Sequence, residues 1–592
     1  MDVNMELKPP MDISHHLSRN AKSRVESSIK QFYKYFSIPG IGQLAGGLPN
    51  NNYFPFDNLE SKVALPNRWT PTPNNPVDPP TAALKATSLS ETPPSSHVEV
   101  PHDSKAPDVL RKIDLSTALQ YGTAQGYPPL YQFVRQFTTQ HLHPHIPYKG
   151  GAEIILTCGS TDGFSKVLQA LNDEWVEGRD PLEEKEALLC EEFCYMNAVQ
   201  TATPRGMNMA PVKIDDEGMC AEGPGGLRDV LENWDESKGR RPRLMYTVTI
   251  GQNPTSGTLS VQRRKELYAL CDKYDVIIVE DDPYWYLQFP SSSPNHATFA
   301  SLPTPTKSSG FPFLDSLVPS YLSIDTSGRV VRLDTFSKTV APGCRLGWIT
   351  AQPALIERIL RITETSTQQP SGFVQSMIAE LIIGPQAADS GRGGAKDGKG
   401  WAMAGWIRWL EGLRGNYERR MNAMSDVLAS GSQLLKSGRR ASFSALLDSP
   451  SDEDEWSVIE TTPMYEFTRP LGGMFIWLTF NFASHPLANK MPGPRLARAL
   501  WILWTTAPYK VLVSPGSIFA PSEKIRDTEA WKSFRLCFAA CPEEEIVGIS
   551  KRCVKGVQEF WRIRDVGRIE ELLGDEDPGM EGEGMGMLAG FC

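Results

Sequence analysis

Cysteines in paired spacing, an excess of positive charge and long apolar runs are all missing from this chain of 592 residues. Its 10 cysteines show no paired C-x-x-C spacing, so zinc-ribbon and thioredoxin-like chemistry is excluded and reduced thiols of an intracellular protein are expected. A formal net charge of -10 speaks against nucleic acid as a partner, because phosphate backbones select basic surfaces. No signal peptide or membrane-length apolar run is present, and the N-terminal residues Met1 to Glu6 are acidic where a mitochondrial presequence would be Arg-rich. The expectation is a cytoplasmic protein with neither membrane nor nucleic-acid partners. Three histidines alternate at His141, His143 and His145. Without cysteines or carboxylates beside them they are read as a solvated loop, and no metal is expected.

What the chain does have is strand and helix patterns in alternation. Leu244 to Ile250 is apolar and β-branched, and Gly251-Gln252-Asn253-Pro254 then breaks it with turn residues. From Ser260, the apolar Leu267, Leu270, Cys271 and Tyr274 recur at helical spacing, and Val276 to Val279 is a second buried strand. Such a βαβ unit implies parallel strands, with ligands gathering beyond their carboxyl ends, where Asn253 and Asp281 fall. Upstream, Glu153 to Thr157 reads as a strand. Cys158 to Gly163 is a turn opening a helix with Phe164, Val167, Leu168 and Leu171 on one face. The start of a helix offers unpaired N–H groups and a positive dipole end, so a phosphate can bind at Ser160 and Thr161.

The most informative stretch is Thr335-Phe336-Ser337-Lys338, with Arg345 seven positions after the lysine. An amine able to form a Schiff base stands between small hydroxyls, near a guanidinium able to fix a phosphate. Together with the preceding segments, in their order along the chain, this stretch resembles the class I/II aminotransferases of fold type I. Within them the resemblance is to fungal aromatic amino acid aminotransferases and to kynurenine/2-aminoadipate aminotransferases.

The resemblance implies pyridoxal 5'-phosphate anchored on Lys338, with Ser160, Thr161, Thr335, Ser337 and Arg345 around its phosphate. Glu280-Asp281-Asp282-Pro283-Tyr284 resembles the family's D-x-x-Y. This implies that Asp281 faces the pyridine nitrogen and that Asn253 and Tyr284 bond the phenolic oxygen. A carboxylate there keeps the ring protonated and therefore electron-withdrawing. Glu191-Glu192-Phe193-Cys194-Tyr195 resembles E-P-x-Y with Phe193 in the place of proline, so Tyr195 is expected to stack on the ring. Tyr121 resembles the tyrosine that reaches a neighbouring subunit's phosphate, which implies a homodimer with shared active sites. Arg535, in Ser533 to Phe538, stands where the family clamps the substrate's α-carboxylate, and its planar fork suits both oxygens. Gly47, in Leu44 to Pro49, resembles the arm that closes over substrate, with Asn253 also facing it.

The fold implied is α/β, a fold type I transferase with a mostly parallel central sheet in a large domain and a smaller α+β C-terminal domain. The expected organisation is an N-terminal arm over 1–57, a low-complexity insertion over 58–112, a large cofactor domain over 113–370, and an interdomain helix with the small domain over 371–592. Stretches rich in Ser, Pro, Gly or charge at about 290–320, 385–404 and 436–463 are read as surface insertions, and the tail from about 574 as mobile. Ile407, Leu410, Leu413, Tyr417, Met421, Met424 and Leu428 predict one long amphipathic helix.

The activity implied is ping-pong transamination of aromatic amino acids (Phe, Tyr, Trp) with a 2-oxo acid such as 2-oxoglutarate. Within the fold the alternatives are a 2-aminoadipate or kynurenine aminotransferase, or a lyase or decarboxylase using the same anchor. Outside it they are a catalytically inactive regulatory or binding relative, or a transcription regulator with an added winged-helix module. The chain has Lys338, Asp281, Asn253, Tyr284 and Arg345 together, which disfavours an inactive relative.

Overall fold

Five-residue runs such as Ala187–Glu191, Ile277–Asp281 and Gly347–Ala351 are buried at every position, the pattern of strands covered on both faces. In the computed structural model, which describes residues 7–27, 35, 38–42, 44–45, 47–71, 95–289, 308–383, 400–437 and 459–574, they belong to one seven-stranded sheet. Its order is Glu153–Thr157, Gly347–Ala351, Val330–Thr335, Ile277–Asp281, Leu244–Thr247, Ala187–Glu191, Asn208–Val212. Only Gly347–Ala351 runs antiparallel to its neighbours; the other pairings are parallel. The βαβ unit expected from the sequence is present, with the crossover helix Val261–Lys273 started by Ser260, whose hydroxyl accepts from the Arg263 N–H.

The chain divides into two compact units, 1–418 with 470–473, and 419–469 with 474–592. In the first, Phe336, just past its strand, packs on Trp348 of the sheet and on Trp406, the ring centroids 5.3 and 5.9 Å away. Each such ring buries roughly 150–250 Å². The same core takes in Ile378, Ala379 and Ile382 of the helix Gly372–Ile383. This explains why residues 371–418 group with the first unit, where the sequence suggested a boundary near 370. The second unit has an antiparallel sheet in the order Tyr465–Glu466, Phe475–Phe480, Ser533–Cys537, Ser514–Pro515. Around it Phe480, Trp504 and Phe534 meet edge to face.

Several segments read as loops are structured where they are described. At the ends of the 58–112 insertion, Asn58–Ala64 and Ser95–Pro101 pair antiparallel, burying Val98 and Val100 by simple alternation. Within 290–320, Phe313, Leu314, Leu317 and Val318 are buried in the main core. At the ends of 436–463, Gln433–Ser437 pairs with Ile459–Pro463. The long helix runs Ala402–Ser430. Residues 72–94, 290–307, 384–399, 438–458 and 575–592, which hold the middles of these insertions and the tail, lie outside the described residues.

The histidine stretch is not a solvated loop. His143 is buried, its ring centroid 5.6 Å from that of Trp285, and burial beside Arg332 holds its pKa well below the usual imidazole value. Among the described residues, the one trio able to hold a metal is His15, His16 and Asp275. These three are already joined by hydrogen bonds of 2.7 and 2.9 Å, with the Arg329 guanidinium 3.8 Å from the same carboxylate.

Candidate active site

The carboxyl ends of the parallel strands bring Ser160, Tyr195, Asn253, Asp281 and Lys338 to one edge of the sheet. After Thr157 the chain turns through Gly159, at φ +96, into the helix Ser160–Leu171, which has no side-chain N-cap. Its first N–H groups are therefore left for another partner. A Cβ on Gly159 would lie 3.1 Å from Arg345 Nη2 and 3.4 Å from Cζ, so the guanidinium rests against a surface only glycine provides. Arg345 itself has φ +45, a left-handed backbone uncommon outside glycine. Thr335 Oγ1 and Ser337 Oγ are 2.8 Å apart, and Thr335 Oγ1 also accepts from the Ser337 N–H at 3.1 Å. These two bonds fix the turn that carries Lys338.

Ser160, Thr161, Phe164, Tyr195, Asn197, Ala198, Thr201, Tyr246 and Asp281 line one cavity. Asp281, among them, is buried at the end of its strand. The Tyr246 hydroxyl donates to Asp281 Oδ2 at 2.7 Å. Asp281 Oδ1 and Ser160 Oγ are buried with no hydrogen-bond partner among the described residues. Burial raises the Asp281 pKa to about 6, helped by the charges of Asp282 and Asp334, while Tyr246 and the nearby Ser160 hydroxyl pull it down.

On either side of Asp281 in the chain, Glu280 and Asp282 belong to a layer of fully buried charge. Arg332 lies 3.1 Å from Glu280, 3.2 Å from Asp282 and 3.0 Å from Asp334, and Arg264 lies 2.9 Å from Glu280. Asp282 accepts the N–H groups of Thr249 at 2.7 Å and Ile250 at 3.2 Å. Arg332 thereby ties together the loop before Asn253, the strand bearing Asp281 and the strand leading to Lys338. Burial would raise the pKa of Glu280, but the two guanidiniums outweigh it and hold the carboxyl below its usual range. For Asp334 burial prevails, and its pKa rises to about 6. Two strands from Ile277–Asp281, Glu191 accepts from Thr247 Oγ1 at 2.7 Å and the Val248 N–H at 3.0 Å, and burial lifts its pKa to about 7.

Depth varies across the expected residues. Asn253, Asp281, Tyr284 and Thr335 are buried, Ser160, Tyr195, Ser337 and Lys338 half-buried, and Thr161, Arg345, Tyr121 and Gly47 exposed. The Tyr195 hydroxyl accepts from Asn197 Nδ2 at 2.7 Å. Gln120 Nε2 donates to Pro49 O at 2.8 Å and to Asn51 Oδ1 at 2.7 Å, tethering the segment after Gly47 to the loop of Tyr121. Arg535 belongs to the second unit. It is 7% exposed, with its guanidinium 4.3 Å from the Phe475 ring and 4.8 Å from that of Phe519, and it donates to Ser514 Oγ at 3.3 Å. The sequence reading did not single out Tyr246, Asn197, Thr201 or Arg332. A signal for Tyr246 was present, since a hydroxyl in a strand buried on both faces must find a partner.

A family model described as aminotransferase class I and II matches residues 96–402. An aromatic amino acid aminotransferase of Schizosaccharomyces pombe is 33% identical over 487 residues, covering 81% of this chain and 85% of that protein. An L-tyrosine:2-oxoglutarate aminotransferase of Tapinella panuoides is 30% identical over 481 residues, covering 80% and 75%. Among solved structures, aminotransferase Aro8 from Candida albicans superposes with a TM-score of 0.70 at 28% identity, over 94% of this chain and 100% of that one.

Pyridoxal phosphate is the cofactor such a family implies, and this chain's own donor set fits it. Asp281 Oδ1, without a partner among the described residues, is a buried acceptor able to take a ring N–H. The helix start at Ser160, roofed by Arg345 on Gly159, suits a phosphate dianion. With the family model spanning more than half of the chain, and a relative one-third identical across four-fifths of it, the chain belongs to the class I and II aminotransferases.

Proposed function

We propose that this aminotransferase moves the amino group of aromatic amino acids to a 2-oxo acid such as 2-oxoglutarate, with Lys338 as the cofactor anchor and proton carrier. The observation that carries the chemistry is the buried Asp281 Oδ1, without a hydrogen-bond partner among the described residues, in a cavity also lined by the helix start Ser160 and Thr161, with the Arg345 guanidinium against Gly159 just before that helix. The aromatic preference rests on the names of the Schizosaccharomyces and Tapinella relatives.

When bound, the cofactor supplies an aldehyde to take up the amino group and a ring that withdraws electrons from the α-carbon. The residues do the rest. Lys338 Nζ would anchor the aldehyde and, as a free amine, would take and return the α-proton. Asp281 keeps a proton on the ring nitrogen, Asn253 and Tyr284 hold the phenolic oxygen, and Tyr195 covers the ring. Ser160, Thr161, Thr335, Ser337 and Arg345 bind the phosphate. Arg535 orients the substrate's α-carboxylate, with Gly47 in the arm over it.

The working species we propose is a homodimer in which Tyr121 completes the partner's site. Tyr121 is 59% exposed on a loop tethered to an arm that bears Leu44, 98% exposed, and Tyr53, 82% exposed. Apolar exposure concentrated in this way marks an interaction surface. Among the described residues all cysteines are free, which supports a reducing compartment, and we propose the cytoplasm.

The test is a panel of aromatic, 2-aminoadipate and kynurenine donors against 2-oxoglutarate and phenylpyruvate, run on the parent and on Lys338→Ala. We expect aromatic donors to give the highest kcat/KM, and Lys338→Ala to lose both the bound cofactor's visible absorbance and turnover. A Lys338→Ala protein with parental turnover refutes the anchor, and a parent that prefers 2-aminoadipate refutes the aromatic assignment.

A further inference from the structure

We infer that Tyr246 is a positioning residue for the reaction, fixing which oxygen of Asp281 meets the cofactor's ring nitrogen and how basic that oxygen is. The inference rests on the proposed role of Asp281 and goes beyond it. Tyr246 lies one strand over, in Leu244–Thr247, and its hydroxyl donates to Asp281 Oδ2 at 2.7 Å. The other oxygen, Oδ1, has no partner among the described residues. One carboxyl group thus has one oxygen occupied and one presented.

The direction of the Tyr246 bond is fixed by chemistry. Tyr246 is buried against Phe164, the ring centroids 4.9 Å apart. Burial together with the Asp281 charge pushes its hydroxyl pKa well above the ordinary value. It therefore keeps its proton at every working pH, and Oδ2 is always the acceptor. Any proton shared between Asp281 and a ligand must reside on the Oδ1 side. The other groups facing Asp281 are acids or a hydroxyl: Asp282 and Asp334 from the layer of buried charge, and Ser160 from the helix start. Cys194 and Tyr195 face Tyr246 itself. Tyr246 is thus a standing donor that opposes the upward pull of burial and of Asp282 and Asp334.

Removing that donor has a definite sign. Without it, Asp281 becomes more basic and draws the shared proton toward itself, and the ring nitrogen carries less positive charge. The nitrogen that Lys338 contributes to the chromophore then keeps its proton to higher pH. Electron withdrawal from the α-carbon weakens, which slows chemistry more than it weakens substrate binding.

The experiment compares the parent, Tyr246→Phe, Phe164→Leu, Asp281→Asn and Tyr246→Phe/Asp281→Asn as holoenzymes. The readouts are the pH midpoint of the bound cofactor's visible absorbance, cofactor Kd by fluorescence titration of the apoprotein, and kcat and KM. Tyr246→Phe should raise the midpoint by about one pH unit and lower kcat about 10-fold or more, with KM changed much less. In the Asp281→Asn background it should add no further shift, because the group through which it acts is gone. Phe164→Leu disturbs the same packing without touching the hydroxyl and should leave the midpoint in place. A parental midpoint in Tyr246→Phe, an equal shift in Phe164→Leu, or a full shift in the Asp281→Asn background each overturns the inference. Parental kcat in Asp281→Asn would instead overturn the proposed role of Asp281.

Discussion

Asp281→Asn should make the apoprotein more stable and the enzyme worse. Asp281 is buried, and its pKa is raised to about 6 against an ordinary 3.8, burial being the main cause. The folded chain therefore binds this proton more tightly than the unfolded chain does. Below about pH 4 both states are protonated and the group has no net effect. Between about 4 and 6 the unfolded state ionises first and stability falls as pH rises. Above about 6 the full penalty is present. About two pH units at about 1.4 kcal/mol each give ~3 kcal/mol.

Asparagine keeps the shape, can still accept from Tyr246, and carries no charge to desolvate. Urea unfolding of the cofactor-free protein at pH 7.5 should show a gain of up to ~3 kcal/mol, shrinking toward zero at pH 4. Under the proposed role of Asp281, the ring nitrogen at the same time loses its anionic partner. A charge-assisted hydrogen bond is worth about 1.5–3 kcal/mol, so kcat should fall roughly 10- to 150-fold while much of the cofactor affinity, held at the phosphate end, remains. An Asp281→Asn apoprotein less stable than the parent at pH 7.5, or one whose stability difference does not depend on pH, would refute the view of Asp281 as a buried, reluctantly charged acid.

Two further outcomes test the remaining assignments. Arg535→Ala should leave the cofactor spectrum nearly unchanged and raise KM for amino donor and 2-oxo acid alike. Losing a desolvated charged partner costs about 2–5 kcal/mol, so kcat/KM should fall roughly 30-fold or more; steady-state kinetics with both substrates checks this. Mixing inactive Lys338→Ala chains with inactive Tyr121→Ala chains should restore part of the activity in confirmed heterodimers, because one of the two sites then has both parental parts.

Residue order alone determined the local pieces of this protein. The hydrophobic periods around Phe164 and Leu267 produced the helices Ser160–Leu171 and Val261–Lys273, and the polar residues following each buried run marked where a site would lie. Lys338 with Arg345, and Asp281 with Tyr284, stood out as candidates because each pair sits within a few residues on one strand-to-loop junction. Tertiary structure alone decided the partners. Tyr246 and Asp281 are 35 positions apart, and Arg332 and Asp282 are 50 apart, so only the sheet's parallel order makes them neighbours. Composition misled at His143, and at Asn58–Ala64 with Ser95–Pro101, because polar or proline-rich surroundings say nothing about what a distant segment will cover. Periodicity reports the face a residue shows to its own element. Which charge meets which hydroxyl across the sheet depends on strand order and register, and these come from burying the whole chain at once.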